Sequence, residues 1–208
     1  MFLFLYIFIG MFSCNTQNHL SYNQTPKESQ DMNIQEHVET AIFAGGCFWC
    51  TEAIFLEVKG IIKIVPGYIG GHTENPTYKE VCTGKTGHAE AIRIIYNPEE
   101  VGYAKLLEVF FATHDPTTLN RQGNDIGTQY RSEIFYMNES QREVAQKYIK
   151  LLEQEKVFED KIITKITNAT DFYKAEDYHH NYYNLNKTQS YCEFVISPKI
   201  EKVKKMLE

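Results

Sequence analysis

Hydrophobic residues follow two different spacings along the chain after residue 38, and these spacings predict its secondary structure. Alternation of apolar or β-branched residues with others predicts strands, whereas spacing by three or four predicts amphipathic helices. Strands are predicted at residues 38–44, 61–68, 88–96, 131–137 and 161–167. Helices are predicted at residues 52–58, 78–82, 101–113, 138–156 and 175–185, with a final turn or two at 200–208. Because the two kinds of element are interspersed, the pattern predicts a single α/β domain in layers.

The first 37 residues carry a different pattern. Residues 2–12 are almost continuously apolar, which is too short for a membrane-spanning helix but typical of a signal peptide. Ser13 and Cys14 follow directly, in an order that resembles a bacterial lipoprotein signal, where cleavage precedes a lipid-bearing cysteine. Residues 14–37 are rich in Asn, Gln, Ser and Thr, which predicts a flexible tether. We therefore expect a signal peptide at 1–13, a tether at 14–37 and a folded domain at 38–208.

Two features of this N-terminus depart from the lipoprotein pattern. No Lys or Arg precedes the apolar run, and Met11 stands where such signals usually carry Leu or a similar aliphatic residue. An ordinary cleaved signal and a translation start at Met32 are therefore alternatives. The expected location is the cell envelope, with the domain held to a membrane by lipid on Cys14 and facing the periplasm or the exterior. An internal start would instead make the protein cytoplasmic.

Composition narrows the possible functions. The chain is 43% hydrophobic, enough for a substantial core, and it is expected to be a monomer. Its net charge is −6 and no basic stripe is present, which argues against nucleic acid as a partner. The 5 cysteines are odd in number and scattered, unlike a disulfide scaffold. The single Cys-x-x-Cys pair lacks a second pair to complete a four-ligand zinc site, so no metal site is predicted. His179 and His180 are predicted to lie on a packed, tyrosine-rich helix rather than to bind a metal.

Cys47 is the strongest candidate for chemistry. Two glycines and a predicted strand precede it, and a predicted helix follows it, so it is expected at a strand-to-helix turn. The free N–H groups and dipole at a helix start favour a thiolate, the reactive form of cysteine. Cys50 completes a Cys-x-x-Cys pair with it. On the predicted strand 88–96, Glu90 shares a face with apolar residues, and such a carboxyl has a raised pKa.

Five stretches, taken in order, resemble the peptide methionine sulfoxide reductase A family. They lie at residues 46–49, 76–82, 86–90, 121–132 and 175–179. The similarity runs from about residue 43 to residue 192, nearly the whole predicted domain. The resemblance implies a two-layer α/β sandwich on a mixed sheet. It also implies reduction of the S epimer of methionine sulfoxide, in proteins and free, with no bound cofactor and with thioredoxin or a thioredoxin-like protein as the electron donor.

The same resemblance implies roles for individual residues. Cys47 matches the nucleophile that attacks the sulfoxide sulfur and becomes a sulfenic acid. Glu90 matches the proton donor. Tyr78 and Tyr130 match the tyrosines that hydrogen-bond the sulfoxide oxygen, and Asp125 matches a polar residue that orients the site. Asp125 and Tyr130 lie in the long polar loop 114–130, a kind of segment that is often functional.

The resemblance also implies a pocket and a second thiol. Phe48 and Trp49 match the aromatic wall that accepts the S-methyl group. Cys192 matches a C-terminal cysteine that resolves the sulfenic acid, and it is expected on a mobile tail that can swing in. Cys50 is the alternative resolving thiol. Cys82 matches a family position without an assigned role and is expected to be a buried core cysteine.

Two other functions compete with this interpretation. A general thiol–disulfide oxidoreductase would use Cys47 and Cys50, but the chain lacks a convincing thioredoxin-like pattern with a proline loop facing the dithiol. A non-enzymatic adhesion or metal-binding lipoprotein would need no reactive thiol at Cys47.

If Cys14 is lipidated, globomycin should cause a precursor to accumulate in cells that express the full chain, because this inhibitor blocks cleavage of lipoprotein signals. The measurement is the ratio of precursor to mature protein on an immunoblot, with Cys14→Ala as the control. An unchanged ratio would argue against the lipoprotein signal.

Overall fold

A six-stranded mixed sheet forms the centre of the fold in a computed structural model that describes residues 38–208. Its strands are β1 (Glu39–Gly45), β2 (Ile61–Ile69), β3 (Ala89–Tyr96), β6 (Ser132–Tyr136), β7 (Lys165–Asn168) and β8 (Tyr173–Lys174). A separate hairpin contains β4 (Arg121–Gln122) and β5 (Asp125–Ile126). The strand order is β7-β6-β1-β3-β2-β8, and β6 and β7 pair in parallel while the other pairs are antiparallel. The expected mixed α/β fold is confirmed.

The helices pack mainly beside this sheet. They are α1 (Phe48–Phe55), α2 (Tyr78–Val81), α3 (Tyr103–Thr113), α4 (Glu139–Gln154), α5 (Tyr182–Leu185) and α6 (Ser197–Leu207). Short 3₁₀ turns lie at Thr128–Tyr130 and Asp177–His179, and a π-helix at Cys192–Ile196 leads into α6. Among the described residues, no helix combines the length and the apolar character needed to cross a membrane.

Alternation along the strands divides the buried residues between the two faces of the sheet. Phe43 of β1 faces the helices, where its ring lies 4.9 Å from that of Phe110 and 5.8 Å from that of Phe55. The opposite face carries a smaller cluster that includes Ala91 and Phe135. The period of two along each strand therefore sends one set of side chains into the main core.

The structure corrects the prediction of a helix at residues 175–185. This segment contains one 3₁₀ turn and the single-turn α5, separated by Asn181 with a left-handed φ of 54°. The backbone N–H of Asn181 donates to the Glu52 carboxylate, and the buried His179 ring bonds Trp49, so distant contacts override the local helical pattern.

Other boundaries also differ from the predictions. The strand predicted at 161–167 begins only at Lys165, and the loop 114–130 contains the β4–β5 hairpin. The final helix α6 is longer than predicted and begins around Pro198, which fits the first turn because it has no N–H to leave unpaired. The predicted signal peptide at 1–13, the lipid site at Cys14 and the tether at 14–37 lie outside the described residues.

Phe43→Ala should lower the free energy of unfolding by about 3–5 kcal/mol, because it removes a buried ring and leaves a cavity. Phe43 is 0% exposed. Leu119→Ala is the control, since that side chain is 73% exposed and its removal should change stability by less than about 0.5 kcal/mol. Urea unfolding of both variants measures the difference, and similar losses would contradict this account of the core.

Candidate active site

Cys47 lies in the turn between β1 and α1, as predicted. Gly46 before it has a φ of +94°, and a Cβ there would come 2.4 Å from Gln122, so glycine is required on both counts. The Cys47 carbonyl accepts the N–H groups of Cys50 and Thr51 at 3.1 and 3.3 Å, which begins the helix. The Cys47 residue is 9% exposed, so its thiol sits at the base of the site rather than on the surface.

Glu90 meets the start of α1 from the neighbouring strand β3. Its carboxyl accepts the backbone N–H of Phe48 at 3.0 Å, and the residue is 1% exposed. Burial raises the pKa of Glu90 to about 8, although the Phe48 hydrogen bond opposes this shift. A carboxyl beside the Cys47 turn therefore keeps its proton near neutral pH, as its position among apolar residues predicts.

Three cysteines share one buried cluster: Cys47, Cys50 and Cys192. Burial raises the pKa of Cys47 above its usual range, so the thiolate expected from the helix start is not the form that this environment favours. A hydrogen bond with Cys47 lowers the pKa of Cys50, and Lys199 acts in the same direction. Of the two thiols, Cys50 is therefore the one that gives up its proton more readily.

Cys192 does not lie on a mobile tail, contrary to the prediction. It is 0% exposed and begins the π-helix that continues into α6. Burial and the nearby Cys50 raise its pKa. The sequence suggested a mobile tail because a short apolar run followed by Pro198 carries no clear periodicity, whereas in the fold this run packs Ile196 and Cys192 against α1.

Tyr191 occupies the space between these thiols and the loop. Its hydroxyl donates to the Asp125 carboxylate at 2.6 Å and lies 3.6 Å from the Cys50 sulfur. Asp125 therefore acts on the site through its hydrogen bond with Tyr191. Tyr191 is a site residue that the sequence patterns do not predict. The feature of the sequence that points to Tyr191 is its position next to Cys192, because a tyrosine hydroxyl in a buried segment needs a hydrogen-bond partner.

Trp49 and Phe48 occupy different environments. The Trp49 indole N–H donates to Nδ1 of His179 at 3.0 Å, and its ring stacks on Tyr182 at 3.7 Å with an interplanar angle of 4°. Phe48 is 0% exposed and packs against the rings of His179 and Tyr78. An aromatic wall is present as expected, but Tyr182 covers one face of Trp49, and Phe48 lies behind the surface of the site.

Glu52 holds the segment that carries Tyr182. Both of its carboxylate oxygens lie 2.9 Å from the N–H of Asn181, and the N–H of Tyr182 also donates to it. Burial raises the pKa of Glu52 to about 7 despite these bonds. No local pattern in the sequence indicates this contact, whose partners lie 129 residues apart.

Tyr78 and Tyr130 complete the site with half-buried hydroxyl groups. Burial raises the pKa of both tyrosines, so both remain protonated hydrogen-bond donors at neutral pH. Tyr130 packs with the cluster that contains Cys47, and Tyr78 is anchored by its backbone N–H, which donates to Glu176 at 2.8 Å. Cys82 is exposed, which corrects the prediction of a core cysteine, because it ends the one-turn helix α2 at the surface.

A cleft of about 430 Å³ opens beside the thiols. Its lining includes Cys47, Cys50, Asp125, Tyr191, Phe194 and Lys199. Within residues 38–208, no group of three or more His, Cys, Asp or Glu side chains is placed to hold a metal ion. The cleft is thus lined by a buried thiol pair, the hydroxyl of Tyr191 and one cationic side chain, Lys199.

Comparison with known proteins agrees with this geometry. The family described as peptide methionine sulfoxide reductase matches residues 39–208. The chain belongs to this family. Peptide methionine sulfoxide reductase MsrA of Chromobacterium violaceum is 54% identical over 168 residues, covering 81% of this chain and 96% of that protein. The protein of the same name from Saccharolobus solfataricus is 53% identical over 169 residues, covering 81% and 94%.

Solved structures agree with the reductase fold. Mxr1 from Saccharomyces cerevisiae in reduced form has a TM-score of 0.71 at 33% identity, covering 76% of this chain and 90% of that one. Methionine sulfoxide reductase A of Corynebacterium diphtheriae has a TM-score of 0.65 at 35% identity, covering 74% and 77%. Mxr1 in complex with Trx2 has a TM-score of 0.51 at 23% identity, covering 71% and 86%. Methionine sulfoxide reduction is therefore the activity of this chain.

The raised pKa of Glu90 predicts how the stability of the reductase depends on pH. Because this pKa rises from 4.5 to about 8 on folding, the folded state binds the extra proton between these values. The contribution of Glu90 to the free energy of unfolding is therefore greatest below about pH 4.5 and is lost as pH rises through about 8. The slope of this loss is at most about 1.4 kcal/mol per pH unit. Glu90→Gln should remove this loss. The free energy of unfolding of the variant should therefore increase relative to that of the wild type from pH 5 to pH 8.

Denaturant unfolding at pH 5, 6, 7 and 8 measures this difference. Glu201→Gln, which changes one exposed charge in α6, is the matched control and should keep the wild-type pH dependence. Parallel curves for the wild type and Glu90→Gln would contradict a carboxyl that is neutral in the folded protein.

Proposed function

We propose that this reductase acts on the S epimer of methionine sulfoxide, in proteins and free, through attack of the Cys47 sulfur on the sulfoxide sulfur. The observation that carries this proposal is the buried Glu90 carboxyl bonded to the N–H of Phe48, the residue that follows Cys47. Reduction of a sulfoxide needs a nucleophile for sulfur and a proton for oxygen within one site. The preference for the S epimer is what the resemblance to the A family implies, and the relatives named MsrA support that assignment.

The first half-reaction moves oxygen from the substrate to the enzyme. Glu90 donates its proton to the sulfoxide oxygen, while Tyr78 and Tyr130 hold that oxygen with their hydroxyl groups. Cys47 loses its proton and its sulfur takes the oxygen, and methionine leaves with its sulfur reduced. In balance, a thiol and a sulfoxide become a sulfenic acid and a thioether, and Glu90 regains the thiol proton. Trp49 lies beside the site and offers an aromatic surface to the S-methyl group.

The second half-reaction forms a disulfide with a second thiol. Cys50 is the better first partner, because its side chain interacts with that of Cys47 and its pKa is lowered. This differs from the preference for Cys192 that the resemblance implies, since Cys192 is fully buried at the start of a π-helix. Cys192 is the alternative, and a disulfide map of the oxidised protein distinguishes the two.

Thioredoxin or a thioredoxin-like protein is the proposed reductant of that disulfide. The structural neighbour Mxr1 forms a complex with Trx2, which supports this class of partner. The chain needs no bound cofactor in this scheme, since electrons pass from thiol to disulfide. Attachment to a membrane through Cys14 and a location in the cell envelope stay predictions from the sequence.

The decisive experiment offers the purified protein the separate S and R epimers with dithiothreitol and measures the methionine formed. We expect turnover of the S epimer and none in Cys47→Ser. Glu90→Gln should lower kcat by about 100-fold, the usual size of a general-acid contribution. Turnover of the R epimer alone, or full activity in Cys47→Ser, would reject the proposal, and disulfide reduction without sulfoxide reduction would favour a general oxidoreductase.

A further inference from the structure

Tyr191 is the side chain that touches both reacting thiols and is not used in the first half-reaction. Its hydroxyl lies 3.6 Å from the Cys50 sulfur and interacts with the Cys47 side chain as well. The Tyr191 hydroxyl donates a hydrogen bond to the Asp125 carboxylate at 2.6 Å. Its oxygen is therefore free to accept a hydrogen bond from the S–H of Cys50. One hydroxyl therefore stands between the sulfur that must lose a proton and the sulfur that must lose an oxygen.

We propose that Tyr191 is a catalytic residue of the second half-reaction, in which it carries the proton of the Cys50 thiol to the oxygen that leaves Cys47. The inference rests on the proposed function and extends it to the step that forms the disulfide. Asp125 is a positioning residue, because its carboxylate holds the Tyr191 hydroxyl at the thiols without touching them itself.

The step balances in atoms and charge. The Cys50 sulfur forms a bond to the Cys47 sulfur, and the S–O bond of the Cys47 sulfenic acid breaks with its electron pair on oxygen. Tyr191 accepts the Cys50 proton on its oxygen and passes its own proton to the departing hydroxyl group, which leaves as water. The sulfenic sulfur is reduced, the Cys50 sulfur is oxidised, and Tyr191 ends as a neutral phenol.

The need for such a shuttle follows from burial. Cys50 is 3% exposed and Cys47 is 9% exposed, so water has poor access to the proton that must move. The Glu90 carboxyl bonds the backbone at Phe48, whereas the Tyr191 hydroxyl lies within reach of the Cys50 sulfur. Tyr191 lines the cleft beside both thiols, and its position there comes from the segment that leads into Cys192.

A single-turnover experiment separates the two half-reactions. The reduced protein is mixed with the S epimer without reductant, and methionine, free thiols and sulfenic acid trapped by dimedone are measured over time. In Tyr191→Phe we expect methionine to form within twofold of the wild-type rate. Disulfide formation should slow by about 100-fold, the scale of a proton-transfer contribution, so sulfenic acid accumulates.

Tyr183→Phe is the matched control, because the Tyr183 hydroxyl bonds Ser197 at 2.9 Å in the same part of the chain. It should form methionine and disulfide at wild-type rates. Asp125→Asn should also slow the disulfide step, since an amide holds the hydroxyl less firmly than a carboxylate does. In Tyr191→Phe the disulfide rate should increase with pH more steeply than in the wild type, because Cys50 must then ionise before it attacks.

The outcomes distinguish the two proposals. A wild-type rate of disulfide formation in Tyr191→Phe, an equal slowing of methionine release, or a pH profile like that of the wild type would each overturn the role of Tyr191. A first disulfide between Cys47 and Cys192 would overturn it as well. Failure of the wild-type protein to release one equivalent of methionine would instead reject the proposed function itself.

Discussion

The site depends on one buried hydrogen bond, from the backbone N–H of Phe48 to the carboxyl of Glu90. It joins the first turn of α1 to strand β3 across the interior of the fold. Burying an ionised carboxylate costs several kcal/mol, and a single N–H bond offsets only part of that cost, so the group keeps its proton. The same contact brings the acid next to the Cys47 turn. Packing in the core, rather than a neighbouring charge, therefore creates the neutral carboxyl that the proposed reaction uses as its acid.

Features carried by neighbouring residues could be predicted from the sequence. Gly46 and Cys47 at a strand-to-helix turn, and Glu90 on an apolar strand face, follow from local patterns of period two and three to four. Features that depend on distant contacts could not. The interruption of the helix at residues 175–185 and the burial of Cys192 both arise where the C-terminal segment meets α1, and no local pattern encodes which side chains meet there. The resemblance to a family implies candidate residues for the site but not their contacts.

The two walls of the site are held in different ways. Sheet hydrogen bonds and the start of α1 fix Cys47 and Glu90, whereas the opposite wall is a segment without strands that is attached through side chains. Its attachments include the pairs Glu52 with Asn181, Trp49 with Tyr182, and Asp125 with Tyr191. Segments held in this way open locally at a lower free energy than the sheet does. In the proposed reaction, a rigidly held acid and nucleophile thus face a wall that opens more readily than the sheet does.

Burial of the cysteines also affects which oxidants reach them. A repair enzyme for oxidised methionine works where oxidants are abundant, and an exposed thiolate there passes readily to irreversible acids. Cys47, Cys50 and Cys192 are at most 9% exposed, whereas Cys82 is at the surface. A protonated thiol with little exposure reacts slowly with peroxide from solution, and in the proposed mechanism it reacts with a sulfoxide that enters the site. Under that mechanism, the fold confers chemical selectivity on its own nucleophile, so that the molecule to be repaired becomes its preferred oxidant.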